Sequence, residues 1–368
     1  MHSCLLVSSQ KKALEYPRGG LQLSFCHACG FIANTRFDGT ANNYCTEYEE
    51  TQGFSPRFRA FAKSLAERLI EKYDIRGKSV LEIGCGKGEF LALMCELGDN
   101  RGIGIDPAYV PERNPSRTTR SINFIQDFYS EAYADLEVDV ICCRHTLEHI
   151  APTYAFMDMI RRAIGDRRDV LVLFEVPDVI RVLKEGAFWD IYYEHCTYFS
   201  AGSLARLFRA SRFEIDDLYL DYDGQYIILA AYPGESSIGP ASEIENDLGD
   251  LSRAFERFRQ TCSDRLVHWR NTIDELTAAG QRTVLWGSGS KAVAFLTTLG
   301  ITDEIEYVVD INPYKRGRFT LGAGQEIVSP EFLTRYRPDK VIVMNPIYCD
   351  EIGRNLDQLG VRAELLPL

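Results

Sequence analysis

No apolar run in this 368-residue sequence approaches the roughly 20 residues that a membrane-spanning helix needs. The first residues, Met1-His2-Ser3-Cys4-Leu5, lack both the basic start and the apolar stretch of a secretory leader, so the expectation is a soluble chain in the cytoplasm. Positive charge is in short supply. With 41 Lys and Arg against 53 Asp and Glu, the net charge of −12 argues against a general binder of nucleic-acid backbones. The eleven cysteines form no regular framework, which in a chain this large reads as reduced thiols, and only those near the N-terminus have metal-like spacing. No short-period repeat is visible. What is present, 45% hydrophobic and 26% charged residues over a length that exceeds one ordinary core, describes a soluble globular protein of two or three domains.

The patterning divides the chain. Residues 1–55 are irregular and contain the tight pair Cys26-His27-Ala28-Cys29-Gly30. From Pro56 to Tyr73 the apolar residues Phe58, Phe61, Leu65, Leu69 and Ile70 share one helical face, and Gly77 ends the helix. Strand-like runs follow at Val80–Ile83, Ile103–Ile105, Val138–Cys142 and Val170–Val176 with helical stretches between them, which predicts β/α units and a parallel sheet over 56–233. Leu218–Tyr222 and Tyr226–Ala231, joined at Asp223-Gly224, read as a hairpin on the sheet edge. Residues 233–240 read as a linker within a connecting region, 234–280, that also holds a long helix with one apolar stripe from Leu248 to Leu276. A second α/β unit occupies 281–368, with strands at Thr283–Trp286, Tyr307–Asp310, Val341–Met344 and Glu364–Leu366 and a helix from about Ala292. The fold class is therefore α/β, with two Rossmann-like domains in series behind a small N-terminal domain.

Glu82-Ile83-Gly84-Cys85-Gly86-Lys87-Gly88 leaves a strand and opens a helix. Its glycines let a ligand approach the backbone and the helix offers free N–H groups. A dinucleotide enzyme uses a similar turn for pyrophosphate. Here Glu82 would repel a phosphate but suits the cationic methionine part of S-adenosylmethionine. Asp106, ending the next strand, is placed to take the ribose hydroxyls, and Gln126-Asp127-Phe128 could edge and stack an adenine. Cys85 reads as a small apolar filler and Lys87 as solvent-facing. The set resembles the motifs of class I S-adenosylmethionine methyltransferases, and S-adenosylmethionine is the expected cofactor.

Two histidine-bearing segments lie at the ligand end of the expected sheet. Cys143-Arg144-His145-Thr146-Leu147-Glu148-His149-Ile150 follows one strand, and Trp189-Asp190-Ile191-Tyr192-Tyr193-Glu194-His195-Cys196-Thr197-Tyr198-Phe199-Ser200 follows another. A histidine among carboxylates and phenols suits general-base work, since its ordinary pKa lies near neutrality. The bland alternative is an aromatic packing loop, and His145 could simply hydrogen-bond the Gly-rich turn. His145 and His149 also stand at the spacing of a metal pair, without an obvious third ligand. In the last unit, Gly287-Ser288-Gly289-Ser290-Lys291 again makes an anion-friendly turn. There Lys291 could meet a diphosphate and Asp310 a ribose, or the turn binds nothing.

With these stretches, together with Val308-Val309-Asp310-Ile311-Asn312-Pro313, residues from about 20 to 368 resemble the three-domain S-adenosylmethionine-dependent C-methyltransferases of nucleotide-linked 4-keto-deoxysugars. That resemblance implies an N-terminal zinc domain, a central methyltransferase domain and a C-terminal Rossmann-like domain that helps form the substrate cleft. It implies His195 as the base, Tyr192 and Glu194 beside it, His149 near the substrate carbonyl, and Tyr48 and Tyr198 as substrate contacts. The chain departs from the family in two places. Members carry an earlier cysteine pair, where this chain offers only Cys4, so a zinc site would need Cys4, Cys26 and Cys29 with His2, His27 or Cys45. Val343-Met344-Asn345-Pro346-Ile347-Tyr348 also departs from a more Trp-rich stretch of the sugar-active members. Within enzymes the competing expectation is O- or N-methylation of another small metabolite. Outside this class stand a S-adenosylmethionine-binding scaffold protein and a nicotinamide-dependent oxidoreductase resting on the Gly287 turn. The sequence leaves the oligomeric state open.

Overall fold

Short apolar runs rich in Val, Ile and Leu have no polar face to show to water, so they are stable as strands covered on both sides. The computed structural model, which describes residues 3–41, 44–113, 121–234 and 243–368, places nearly all of them that way. His2 and residues 235–240 of the expected linker lie outside the described residues.

In chain order the elements begin with α1 (Gln10–Leu14), β1 (Leu23–Phe25), β2 (Ile32–Asn34) and α2 (Pro56–Tyr73). The central unit continues with β3 (Ser79–Ile83), α3 (Glu89–Gly98), β4 (Arg101–Ile105), β5 (Ile122–Ile125), β6 (Val140–Arg144), α4 (Thr153–Ile164) and β7 (Leu171–Pro177). It closes with α5 (Val179–Glu185), β8 (Thr197–Tyr198), α6 (Ala201–Ala210), β9 (Phe213–Asp221) and β10 (Tyr226–Pro233). After α7 (Leu248–Ala278) come β11 (Thr283–Trp286), α8 (Ser290–Leu299), β12 (Tyr307–Val309), β13 (Glu326–Val328), α9 (Leu333–Tyr336), β14 (Lys340–Val343), α10 (Cys349–Gln358) and β15 (Glu364–Pro367).

The central sheet has seven strands in the order β5-β4-β3-β6-β7-β10-β9. Its pairings are parallel except at β10, which runs antiparallel to both β7 and β9. One face is filled by Phe174, Phe199, Phe208 and Phe213 among others, and the opposite face by Leu65, Ile70, Leu91 and Met94. The helix α2 starts where expected because the Ser55 hydroxyl accepts from the Phe58 N–H and Pro56 occupies the first turn. A second, wholly parallel sheet has the order β13-β12-β11-β14-β15. In both sheets the chain order reverses beside the first strand, which leaves a crevice at the carboxyl ends.

The irregular N-terminal residues are laid out in three pieces. Residues 3–18 run along the C-terminal sheet, with Val7 bridging Phe319, the Gln10 amide donating to Gly324 O at 3.1 Å, and Arg18 donating to Gly322 O at 2.5 Å. β1 and β2 form a hairpin whose third strand is β8, from the middle of the chain. Residues 44–55 cross the mouth of the crevice. The stripe on α7 packs within the chain, with Leu251 and Ala254 beside α5 and Trp269 and Ile273 in the core of the C-terminal sheet. None of the helices among the described residues is long and apolar enough to cross a membrane.

Candidate active site

A cleft of about 1170 Å³ runs between the carboxyl ends of the two sheets. Its walls come from the Glu82–Lys87 turn, the segments after β6 and β7, the Gly287–Lys291 turn and the cover segment 44–55.

At one end the backbone leaves β3 with Gly84 at φ 71° and Gly86 at φ 55°, the left-handed region that favours glycine. A Cβ on Gly84 would lie 2.0 Å from the Thr146 hydroxyl, and one on Gly86 would lie 2.5 Å from a Glu50 oxygen. The turn is thus as slim as the chain allows. Glu82 is buried, and its Oε2 has no hydrogen-bond partner within the protein. Burial pushes its carboxyl up to about 8, against the pull of Arg144, so a bound cation would restore the carboxylate. Asp106 accepts from the Gly86 N–H at 2.8 Å and the Ala108 N–H at 2.7 Å, and burial raises its pKa. Cys85 is buried behind the turn, as expected. Gly88, expected at the ligand, instead caps α3 at φ 82° against the Phe124 ring and does not line the cleft. Asp127 and Phe128 reach the rim, where Asp127 accepts from Tyr133 Oη at 2.6 Å and Phe128 is 59% exposed. An orphaned carboxylate oxygen, a glycine turn without room for a Cβ and an exposed ring fit a cationic nucleoside ligand.

Lys87 corrects the expectation of a solvent-facing side chain. It is buried, and its ammonium donates to Tyr48 O at 2.8 Å and Ala108 O at 2.6 Å, so it ties the cover segment to the turn.

The histidines meet in the middle of the cleft. His195 follows the turn Tyr192–Glu194 and is 7% exposed. Its ring lies 4.2 Å from that of Tyr192 and 4.8 Å, edge-on, from that of His149. Burial, then His149, His145 and Lys291, hold His195 well below the ordinary imidazole value, so it is neutral at pH 7. Burial, Asp190 and Glu194 keep Tyr192 protonated as a donor. His149 Nδ1 lies 2.7 Å from Tyr44 Oη. Tyr198 donates to Tyr192 O at 3.2 Å and fixes the loop that carries His195.

Four residues depart from the expected arrangement. Glu194 does not face His195 and does not line the cleft. It is fully buried, accepting from Tyr48 Oη at 2.6 Å and from the Ser3 N–H. Tyr48 therefore reaches the cleft while anchored to Glu194. His145 does not bond the Gly-rich turn. At φ 49° it donates its backbone N–H to Glu175 O at 2.8 Å and sets Nε2 2.8 Å from Glu175 Oε1. Burial opposes its charge, but Glu175 and Glu148 win and raise it to about 9, while Arg144 and His145 bring Glu175 down to about 2 against burial. A left-handed histidine held from two sides is strain locked in by its neighbours. Lys291 is paired with Asp190 Oδ1 at 2.9 Å, and Asp190 also accepts from Arg181. Asp310 lines the cleft but spends Oδ2 on the Ser288 N–H and hydroxyl and Oδ1 on the Asn312 N–H, so it braces the Gly287–Lys291 turn.

The expected zinc set is not assembled. Cys4 lies at the cleft with Sγ 3.5 Å from Ser290 Oγ and its thiol pushed by burial up to about 12, whereas Cys26 is exposed on the β1–β2 turn beside Cys29. His27 stacks edge-on against Phe25 instead. The physical reason is that residues 3–7 are pulled away to pair with Tyr48 and Phe319. Among the described residues the one group of ligand atoms close enough for a metal is Glu148, His149 and His195, within 4.8 Å of one another. Glu148, which carries no motif signal of its own beside His149, has both oxygens buried without a hydrogen-bond partner.

The doubly wound sheet, the glycine turn and the acid at each of the first two strand ends define a class I S-adenosylmethionine-dependent methyltransferase. The chain belongs to the family of S-adenosylmethionine C-methyltransferases: the model of a methyltransferase domain matches residues 55–218, and that of the C-methyltransferase C-terminal domain matches residues 235–363. It is similar to the C-methyltransferase NovU of Streptomyces niveus, with 27% identity over 311 residues, 80% of this chain and 72% of that protein. Similar solved structures include the 1,6-didemethyltoxoflavin-N1-methyltransferase of Burkholderia thailandensis with S-adenosylhomocysteine bound (20% identity, 47% of this chain, 78% of that chain, TM-score 0.37). Another is the magnesium protoporphyrin IX methyltransferase of Synechocystis PCC 6803 (15% identity, 48% of this chain, 84% of that chain, TM-score 0.38).

Proposed function

We propose that this enzyme, acting in the cytoplasm, methylates carbon beside the carbonyl of a nucleotide-linked deoxysugar, with His195 as the base. The observation that carries the reading is a buried, neutral imidazole flanked by Tyr192 and His149 in a cleft between two α/β units. S-adenosylmethionine supplies the electrophilic methyl group when bound. Glu82 would face its cationic part, Gly84, Cys85 and Gly86 its path along the turn, Asp106 its ribose, and Asp127 with Phe128 its adenine. His145, engaged with Glu175, would border that site rather than bind within it.

A C–H beside a ketone is not nucleophilic until its proton leaves. His195 takes that proton at its ring nitrogen, and Tyr192 or His149 donates a hydrogen bond to the oxygen that gains charge. The carbon so activated is the nucleophile a methyl donor needs. Tyr48 and Tyr198 would border the sugar, and Glu194 would act by holding Tyr48. Lys291 with Arg181, sharing Asp190, offers positive charge to a diphosphate on the C-terminal side. O- or N-methylation of another small metabolite is the competing reading.

The substrate class is testable by thermal unfolding with S-adenosylhomocysteine present. A 4-keto nucleotide deoxysugar is expected to raise the midpoint more than the matching nucleotide diphosphate or the free keto sugar alone, since both halves would be held. No shift with any nucleotide sugar would exclude this class.

A further inference from the structure

We infer that Glu50, from the segment covering the cleft, is a further ligand of S-adenosylmethionine, accepting a hydrogen bond from one of the cofactor's own donors, its ammonium or a ribose hydroxyl. The inference rests on the cofactor lying against the Glu82–Lys87 turn and adds a contact from outside the methyltransferase sheet.

Glu50 lines the cleft two residues beyond Tyr48. Its Oε1 stands over the middle glycine of the turn, where a Cβ on Gly86 would come within 2.5 Å. The carboxylate therefore overhangs the surface along which the ligand must run. Its Oε2 is buried and accepts no hydrogen bond. The nearest cation, Lys87, stands 3.7 Å away and spends its donors on Tyr48 O and Ala108 O. An oxygen buried without a hydrogen-bond donor is in the state of a group whose partner arrives with the ligand.

The neighbouring acid, Asp106, already accepts a backbone N–H on each oxygen. Glu50 brings uncommitted lone pairs to the same place. Burial also pushes its carboxyl up to about 7, partly offset by Lys87 and reinforced by Asp106, so a donor arriving there would draw it to the ionised form. Because Glu50 and the Lys87 acceptor Tyr48 lie in one segment, the cofactor would itself help to seat the cover over the cleft.

Calorimetric titration of the full chain with S-adenosylhomocysteine and with 5′-methylthioadenosine, which keeps the ribose but lacks the ammonium, tests this in wild type, Glu50→Gln and Glu50→Ala. Loss of a hydrogen bond to a charged group should weaken S-adenosylhomocysteine about tenfold or more in Glu50→Ala, and less in Glu50→Gln. A parallel loss for 5′-methylthioadenosine identifies a ribose hydroxyl as the donor, and loss confined to S-adenosylhomocysteine identifies the ammonium. The unliganded variants should remain folded, since they lose only the 3.7 Å ion pair with Lys87, whose ammonium keeps its bonds to Tyr48 O and Ala108 O. Unchanged S-adenosylhomocysteine affinity in Glu50→Ala, with wild type binding normally, overturns the inference. Failure of wild type to bind would instead overturn the cofactor placement on which it rests.

Discussion

Replacing His195 with alanine is expected to lower methyl transfer by about a thousandfold, within the usual span for removal of a general base, while leaving S-adenosylhomocysteine binding intact. The size follows from the placement of the ring. His195 is buried beside Tyr192 and His149, and its low pKa keeps the imidazole free to accept a proton at pH 7. His145 does not stand in for it, because Glu175 and Glu148 raise His145 to about 9 despite its burial and it holds its proton. Among the described residues His195 makes no hydrogen bond to the Glu82–Lys87 turn, so the two effects separate. His195→Gln, which keeps a polar side chain without the basic nitrogen, should be equally slow. Near-normal turnover in both variants, measured as S-adenosylhomocysteine release under saturating substrate, would remove His195 from the base role.

The second large effect concerns stability. Glu175, two residues before the end of β7, has one oxygen 2.6 Å from Arg144 Nε and the other 2.8 Å from His145 Nε2, all three side chains largely out of water. Glu175→Gln keeps the shape but removes the charge, leaving Arg144 buried against the Phe90 ring without its bonded carboxylate, with Glu82 acting on it from further off. Breaking a buried pair from one side costs about 3–5 kcal/mol, and denaturant unfolding should show a loss of that order. The pH dependence carries a second signature. Because the folded-state pKa of His145 is raised, its contribution is complete below the ordinary imidazole value of 6.5 and is lost as pH climbs through about 9. Because that of Glu175 is lowered, its contribution is complete above its ordinary value of 4.5 and is lost as pH falls towards about 2. The alkaline decline should flatten in Glu175→Gln. A loss below about 1 kcal/mol, the scale of a surface pair, would mean the cluster does not hold the end of the sheet.

Much of the architecture was legible because it is local. The bounds of α2 and β11 fall where hydrophobic period, Ser55, Pro56 and the Val-Leu run put them. β6 begins two residues later than the run Val138–Cys142 suggests, because the Asp139 carboxylate is engaged with the Ser79 N–H. That shift places Arg144 at the strand end and His145 on the strained turn beyond it. The glycine turn was equally plain, as its chemistry is contiguous. What sequence could not reveal depends on distant partners. Glu194 looks adjacent to His195, yet its partners are Ser3 and Tyr48, 191 and 146 residues away. Cys4 has the spacing of a possible ligand but is drawn to Ser290. Lys87 sits among glycines, where exposure is the natural reading, and only the return of residues 44–55 over the turn buries it. Glu148 and Glu50 gave the weakest signals, an acid between histidines and the second of two acids after a tyrosine.

The central claim is that the bond forms at carbon made nucleophilic by loss of its proton. A keto sugar nucleotide in which every hydrogen on the carbon beside the carbonyl is replaced by deuterium, incubated with enzyme and S-adenosylmethionine and analysed by mass spectrometry and NMR, tests it most directly. The account predicts a product with the new methyl on that carbon and one deuterium gone. A methylated product that keeps every deuterium would contradict it.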